Sequence, residues 1–470
     1  MEKRDLFETV ETEREHLFDL ADQIWRTPEL GLGERESAAV LIEALDEEGF
    51  VIETGVGGMP TAFEACFGEG DPTIAILGEY DALPGLSQTI SAEREPIEAG
   101  GPGHGCGHNL FGTAGVGAVI AVKRVMEREN LPGRIVFFGC PAEEILVGKV
   151  FMARDGAFDD VDAALTWHPG DLSSPWRGSS LALDSIRFEF QGVSAHAAAS
   201  PESGRSALDA VQLLNTGVEY MREHISEKAR VHYSIVDGGE APNVVPPTAS
   251  VWYYVRAPTR QEVERVSDWL REIANGAAMM TRTEVSDRFI TGCYAYLPND
   301  VLTDTIWENM QKVGSIDYDA DDRAFASDLQ ETISDAEIEA RLADLADDWR
   351  KDVRGNALYA DPVPAFDEGT AGSTDVGDVS WLTPTAQFRG ATWPVGTPAH
   401  SWQAVAANGD FGREGMLFAS KVLAATAVDL VTDRDLLDAA RSEFDTVTSG
   451  SEYESPLPDG IEPPFDVDTV

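Results

Sequence analysis

Apolar positions along the chain follow two periods, and the order in which the periods alternate outlines an architecture. Between residues 7 and 48, Phe18, Leu20, Ile24 and Trp25 recur at helical spacing until Pro28 interrupts the pattern. Two short runs, Thr73 to Leu77 and Arg134 to Phe138, are apolar at nearly every position, as strands covered on both faces are. Thr113 to Glu129 between them reads as a helix, and a third apolar strand starts at Ala163. Strand, helix, strand predicts βαβ units, hence an α/β layer with a mainly parallel sheet.

The pattern changes near Ser180. Residues 182–192 alternate as a strand, 203–228 read as helix, 231–236 and 249–256 as strands, 260–280 as helix and 282–290 as a last strand. This βαββαβ order predicts a compact α+β unit inserted into the first layer. Helices resume after Pro298. Residues 315–368 read as acidic and loop-rich, 412–431 as a C-terminal helix, and the Pro-, Glu- and Asp-rich tail from Ser449 is expected to fray. The expected division is a first domain split between 1–180 and 294–448, an insert at 181–293, and a tail at 449–470.

Composition narrows the class. At 470 residues the chain exceeds what one core usually holds, which agrees with two domains. No run approaches the about 18 apolar residues of a membrane span, and the charged N-terminus lacks a signal-peptide core, so the expectation is a cytoplasmic protein with no membrane partner. Cys66, Cys106, Cys140 and Cys293 are widely spaced, which favours reduced thiols over a disulfide framework. Acidic residues number 83 against 35 basic, a net charge of −48 spread along the whole chain, which disfavours nucleic acid. Such self-repulsion is tolerable in concentrated salt, where the Debye length falls to about 3 Å at 1 M, and the chain reads as halophilic.

Four segments carry candidate chemistry. Gly103-His-Gly-Cys-Gly-His-Asn109 sets Cys106 and His108 two apart, with glycines that let both turn toward one point, a pair suited to a transition metal. Pro141-Ala-Glu-Glu144 follows a strand, where open α/β sheets place binding residues; Glu144 can ligate while Glu143 receives a proton from activated water. His168 ends the third strand, and His400 lies in the turn-prone Gly396-Thr-Pro-Ala-His. Each is individually open to a packing or surface explanation. Together they predict a metal site.

With Asp22-Gln-Ile-Trp25, Gly78-Glu-Tyr-Asp-Ala-Leu83, Thr166-Trp-His-Pro169, Ser194-Ala-His-Ala197 and Ser373-Thr-Asp-Val-Gly-Asp-Val-Ser-Trp381, these motifs resemble the metal-dependent amidohydrolases of peptidase family M-20, in their cysteine-containing branch. That family includes aminoacylases, carboxypeptidase G and the indoleacetyl-amino-acid and hippurate hydrolases. The resemblance spans nearly the whole chain. It implies a metallohydrolase catalytic domain binding two divalent ions, zinc or manganese, and an inserted domain that dimerises and closes over the site. It assigns Cys106, His108, Glu144, His168 and His400 as ligands and Glu143 as general base. His196 is implied as a donor to the scissile carbonyl in a partner subunit's site, and Asn243 and Arg256 as substrate contacts. Glu79 stands where dinuclear relatives carry a histidine ligand, a substitution for which Cys106 compensates. Asp375 and Asp378 are expected beside the ligands or facing substrate, or else on a surface loop. Ile145-Leu-Val147, where relatives often carry glycines, is expected to reshape the pocket wall.

The implied activity is hydrolysis of an N-acyl or N-aroyl amino acid, with p-aminobenzoyl-glutamate as the specific candidate, by a homodimer or a heterodimer with a paralogous subunit. A dipeptidase or general aminoacylase is the enzymatic alternative. A non-catalytic metal-binding scaffold is the alternative of another class, and the retained Glu143 argues against it. The charge reading has a direct check: the melting temperature should rise between low and molar salt, and a flat or falling curve would sink the halophile reading.

Overall fold

The structure, a computed structural model, describes residues 3–366 and 372–466. Its first sheet holds β1 (Val51–Thr54), β2 (Phe63–Glu69), β3 (Thr73–Glu79), β4 (Gly133–Cys140), β5 (Ala163–Gly170), β6 (Ser174–Pro175) and β11 (Thr385–Ala391), in the order β1-β2-β4-β3-β5-β11-β6. β4, β3, β5 and β11 run parallel, while β1, β2 and β6 join antiparallel at the edges. Every residue of β3 is buried. That explains its unbroken apolar run, since helices cover both faces of a parallel sheet.

Helices His108–Glu129 and Gly412–Thr432 pack together against this sheet and supply much of the larger core. Gly412–Thr432 is long and apolar enough by composition to cross a membrane, but its apolar surface is spent on the core. Gly117 is where it comes close: a Cβ there would lie 2.7 Å from Ser420 Oγ.

The second sheet is antiparallel, ordered β10-β7-β9-β8, from β7 (Ala182–Gln191), β8 (Arg230–Asp237), β9 (Thr248–Ala257) and β10 (Glu284–Cys293). Helices Ala207–Arg222 and Arg260–Thr281 cover one face with their own core, including Leu214, Leu270, Phe188 and Tyr253. Ser206 and Thr259 accept from backbone N–H groups three residues on, which sets where these two helices start.

Residues 315–368, read as acidic and loop-rich, contain helices Ala320–Gln330, Asp335–Ala343 and Asp347–Val353. Asp319 and Ser334 form capping boxes at the first two, so acidic residues that depress helix propensity inside an element here nucleate its start. The tail from Ser449, expected to fray, makes contacts with the body over its described length. It has no helix or strand after Val447, yet Leu457 is buried, the Tyr453 hydroxyl donates to Asp378 Oδ1 at 2.9 Å, and Arg154 donates to the Ile461 carbonyl at 2.6 Å.

Asp378 is fully buried, so the tail supplies a donor that a buried carboxylate needs. Tyr453→Phe should cost about 1–3 kcal/mol, the usual penalty for an orphaned buried acceptor, read as a lower denaturation midpoint. An unchanged midpoint would show that the tail contact carries no stability.

Candidate metal centre

The parallel strands all deliver their carboxyl ends to one place, and the candidate residues sit there. Glu79 ends β3, Glu143 and Glu144 follow β4, and His168 lies near the end of β5. His108 opens helix His108–Glu129 behind Gly107, which has φ +81 and faces Pro169 so closely that a Cβ would lie 2.7 Å from the ring. Glu143–Ile145 is a single 3-10 turn between Ala142 (φ 56) and Leu146 (φ 58), and His400 has φ 59. Three non-glycine residues in the left-handed region around one site mark stored strain, which persists where the surroundings over-determine it. A Cβ at Gly148 would meet the Pro141 carbonyl at 1.9 Å, so only glycine lets the turn close.

The five expected ligands are brought together. Atoms of Cys106, His108 and His168 lie within 4.8 Å of one another, as do those of Cys106, Glu144 and His400. Cys106 belongs to both groups, and a third group brings Glu79, His108 and Glu143 within the same distance of one another. Its Sγ is 3.4 Å from His168 Nε2, and His400 Nε2 is 3.4 Å from Glu144 Oε2. His168 Nδ1 donates to the Pro169 carbonyl at 2.7 Å, which leaves the Nε2 lone pair facing the sulfur.

Residues not singled out as functional in the sequence hold this set in place. Asp81 accepts from His108 Nδ1 at 2.8 Å and from the Glu144 backbone N–H at 2.9 Å, orienting two ligands at once. Lys149, fully buried, bridges Glu79 Oε1 at 2.7 Å and Asp375 Oδ1 at 2.6 Å. Asp375 also accepts the Lys149 backbone N–H at 2.9 Å. Asp375 and Asp378 are buried, not on an exposed surface loop. The signal available in the sequence was the lone Lys149 in an apolar helix beside the glutamate pair, since an unpaired lysine is almost never buried.

Glu79 Oε2, His108 Nε2 and Glu144 Oε1 are buried without a hydrogen-bond partner. Orphaned donors and acceptors converging from three elements, with a thiol and two further imidazoles, fit a pair of divalent cations. Burial, with Glu79, Asp375 and Glu144 alongside, holds Glu143 well above the usual carboxylate range, and burial lifts Glu144 to about 7. Burial and the Glu144 charge push the Cys106 thiol up. Burial opposes charge on His108, but Asp81 and Cys106 outweigh it and hold the ring well above the ordinary imidazole range.

A cavity of about 320 Å³ opens on this cluster, lined among others by Glu143, Leu146, Trp176, Tyr254, Arg256, Ser373 and Arg389. Leu146 stands in that wall, where the departure at Ile145-Leu-Val147 was expected to act. Arg256 is present; its Nε donates to Ser373 Oγ at 3.3 Å. His196 and Asn243 do not line the cavity and are exposed on the inserted domain, joined to each other by the Ala197 N–H donating to the Asn243 carbonyl at 3.0 Å.

Residues 182–279 match the family model described as peptidase dimerisation domain. The chain is 43% identical to one of the subunits of p-aminobenzoyl-glutamate hydrolase from Escherichia coli (strain K12), over 98% of each chain. It is 28% identical to the Xaa-Arg dipeptidase of Mus musculus, over 94% of this chain and 92% of that one. A dinuclear metal-binding peptidase of the M20 family from Bacillus subtilis shares the fold at 18% identity, with a TM-score of 0.52 over 87% of this chain and 98% of that one.

Protons held by Cys106 and His108 in the metal-free protein must leave when those atoms ligate, so lower pH competes with the metal. Titrating zinc or manganese into metal-free protein should release protons, with affinity that rises with pH, and Cys106→Ala should weaken binding and reduce the release. Affinity independent of pH would show that these atoms do not bind the ion.

Proposed function

This chain belongs to the M20 peptidase family, and we propose that it hydrolyses the amide bond of an N-acyl or N-aroyl amino acid, with p-aminobenzoyl-glutamate as the leading candidate. The observation that carries the reading is the shared position of Cys106 in two ligand groups, with Glu143 beside them on the cavity wall. The name of the 43% identical relative supports the substrate.

Cys106, His108, Glu144, His168 and His400 would hold two divalent cations, zinc or manganese. When bound, such ions acidify water and polarise the scissile carbonyl. Glu143 takes the proton from the attacking water and hands it to the leaving nitrogen. His196 Nδ1 accepts from the Ala198 and Ala199 N–H groups, both at 3.2 Å, which places the ring proton on Nε2. That N–H is the donor offered to the developing oxyanion. Because it lies outside its own chain's cavity, it serves the site of a partner, either a second copy or a paralogue, the latter suggested by the relative's name as one of several chains of its enzyme. Asn243 is carried on the same edge. Four free thiols suit a cytoplasmic protein, and the acidic surface suits high salt.

A second reading, dipeptide hydrolysis, is favoured by the likeness to the Xaa-Arg dipeptidase. A panel of N-acyl amino acids and dipeptides, in high salt with each metal, separates the two. Glu143→Ala should retain its metal and lose about 10²–10⁴-fold in kcat. Full activity in that variant would refute the assignment.

A further inference from the structure

We propose that Thr291 is a positioning residue for Glu143: its hydroxyl carries the placement of the inserted domain to the turn that presents the base. The proposal rests on the amide-hydrolysis reading above and adds how the two domains cooperate in it. Glu143 stands on a turn that does not hold itself. Ala142 and Leu146, on either side of it, have φ 56 and φ 58, conformations that cost a residue with a β-carbon energy and persist only where the surroundings enforce them. Inside the turn the Leu146 N–H donates to the Glu143 carbonyl at 2.7 Å and the Val147 N–H to the Ala142 carbonyl at 3.1 Å. Side chains from both domains add to this. From the catalytic domain, Glu34 accepts the Ala142 N–H at 2.7 Å and Asp81 accepts the Glu144 N–H at 2.9 Å. From the inserted domain, the Thr291 hydroxyl donates to the Leu146 carbonyl at 2.6 Å, and both residues are buried.

Thr291 reaches the turn because β10 breaks its own alternation. β10 and β7 pair Phe289 with Ile186 and Thr291 with Ser185, which leaves Ile290 unpaired. Ile186 and Ser185 are consecutive and point to opposite faces of the sheet, so Phe289 and Thr291, two positions apart, do the same. Ile186 belongs to the core shared with the two helices of the inserted domain. Ser185 pairs with Tyr254 of β9, whose side chain lines the cavity. The irregularity at Ile290 therefore moves Thr291 off the helix-covered face and into one row with Ser185 and Tyr254, on the face directed at the metal centre. A regular strand would have left it on the side of Ile186.

One sheet face thus meets the substrate space through Tyr254 and the turn of the base through Thr291. A movement of the inserted domain that draws Tyr254 toward or away from the cavity pulls on the Leu146 carbonyl, and Glu143 lies three residues before it. Displacement on that scale has consequences, since misplacing a reacting group by about 1 Å can cost about 100-fold in rate. The base is held in its working position only while the inserted domain is in place.

Thr291→Val keeps the shape of the side chain and removes the hydroxyl, whereas Thr291→Ser keeps the hydroxyl. In metal-loaded protein with p-aminobenzoyl-glutamate as substrate, Thr291→Val should lose about 10–100-fold in kcat with KM and bound metal within about twofold of the wild type, and Thr291→Ser should recover most of the loss. A merely structural contact would lower the denaturation midpoint and leave kcat of the folded protein unchanged. Amide hydrogen exchange gives a reading that needs no turnover: in Thr291→Val, residues 142–148 should exchange about tenfold faster while β4 and β10 keep their protection. The proposal is overturned if kcat is unchanged in Thr291→Val, if Thr291→Ser is equally impaired, if bound metal falls in step with kcat, or if exchange over 142–148 is unaltered. Those outcomes leave the hydrolysis reading intact. If the wild type hydrolyses no conjugate, that reading fails, and the exchange comparison alone decides whether Thr291 holds the turn.

Discussion

Five carboxylates, Glu79, Asp81, Glu143, Glu144 and Asp375, are gathered with little or no solvent exposure at one end of one sheet, and that concentration of negative charge governs how the rest of the protein is built. Buried like charges are costly unless each finds a counter-charge or donor. Lys149 spans Glu79 and Asp375, His108 sits on Asp81, and backbone N–H groups of Glu144 and Lys149 are spent on Asp81 and Asp375. Burial and its acidic neighbours still lift Asp375 to about 6 despite Lys149. Glu79 Oε2 and His108 Nε2, 3.3 Å apart, and Glu144 Oε1 are left without a hydrogen bond at the candidate metal positions.

This arrangement demands close backbone approach. The strand–turn joint after β4 closes only because position 148 is glycine and because Ala142 and Leu146 accept left-handed conformations. Glu34 braces it from the other side, accepting the Ala142 N–H at 2.7 Å, while the Thr291 hydroxyl donates to the Leu146 carbonyl at 2.6 Å. Thr291 belongs to β10, so the inserted domain is hydrogen-bonded to the very turn that carries Glu143. A second core cluster continues the link, joining Leu183 and Cys293 of that domain to Val147, Val376 and Leu457. The cavity thus lies where both domains and the tail share packing, which fixes Arg256 relative to the candidate ligands.

The long apolar strands and both helices of the inserted unit were legible in the sequence, because a two-face-buried strand and an amphipathic helix each impose a period on the chain. The three short helices within 315–368 were not, because an acidic stretch reads as solvated loop until capping geometry is seen. Asp375 and Asp378 could not be told from surface carboxylates by composition in so acidic a chain; only their own burial and their partners Lys149 and Tyr453 distinguish them.

By itself the sequence determined the two-sheet α/β and α+β architecture and the chemical identity of the candidate ligands, since periodicity is local and Cys, His and Glu residues announce their coordination chemistry wherever they stand. Only the tertiary structure decided that Cys106 is common to two of the three ligand groups, that Asp81 and Lys149 support them, that Arg389 stands beside His168, and that His196 is outside its own chain's cavity. Those relations join residues tens to hundreds of positions apart, and strand register and domain packing, not spacing along the chain, set the distances between them.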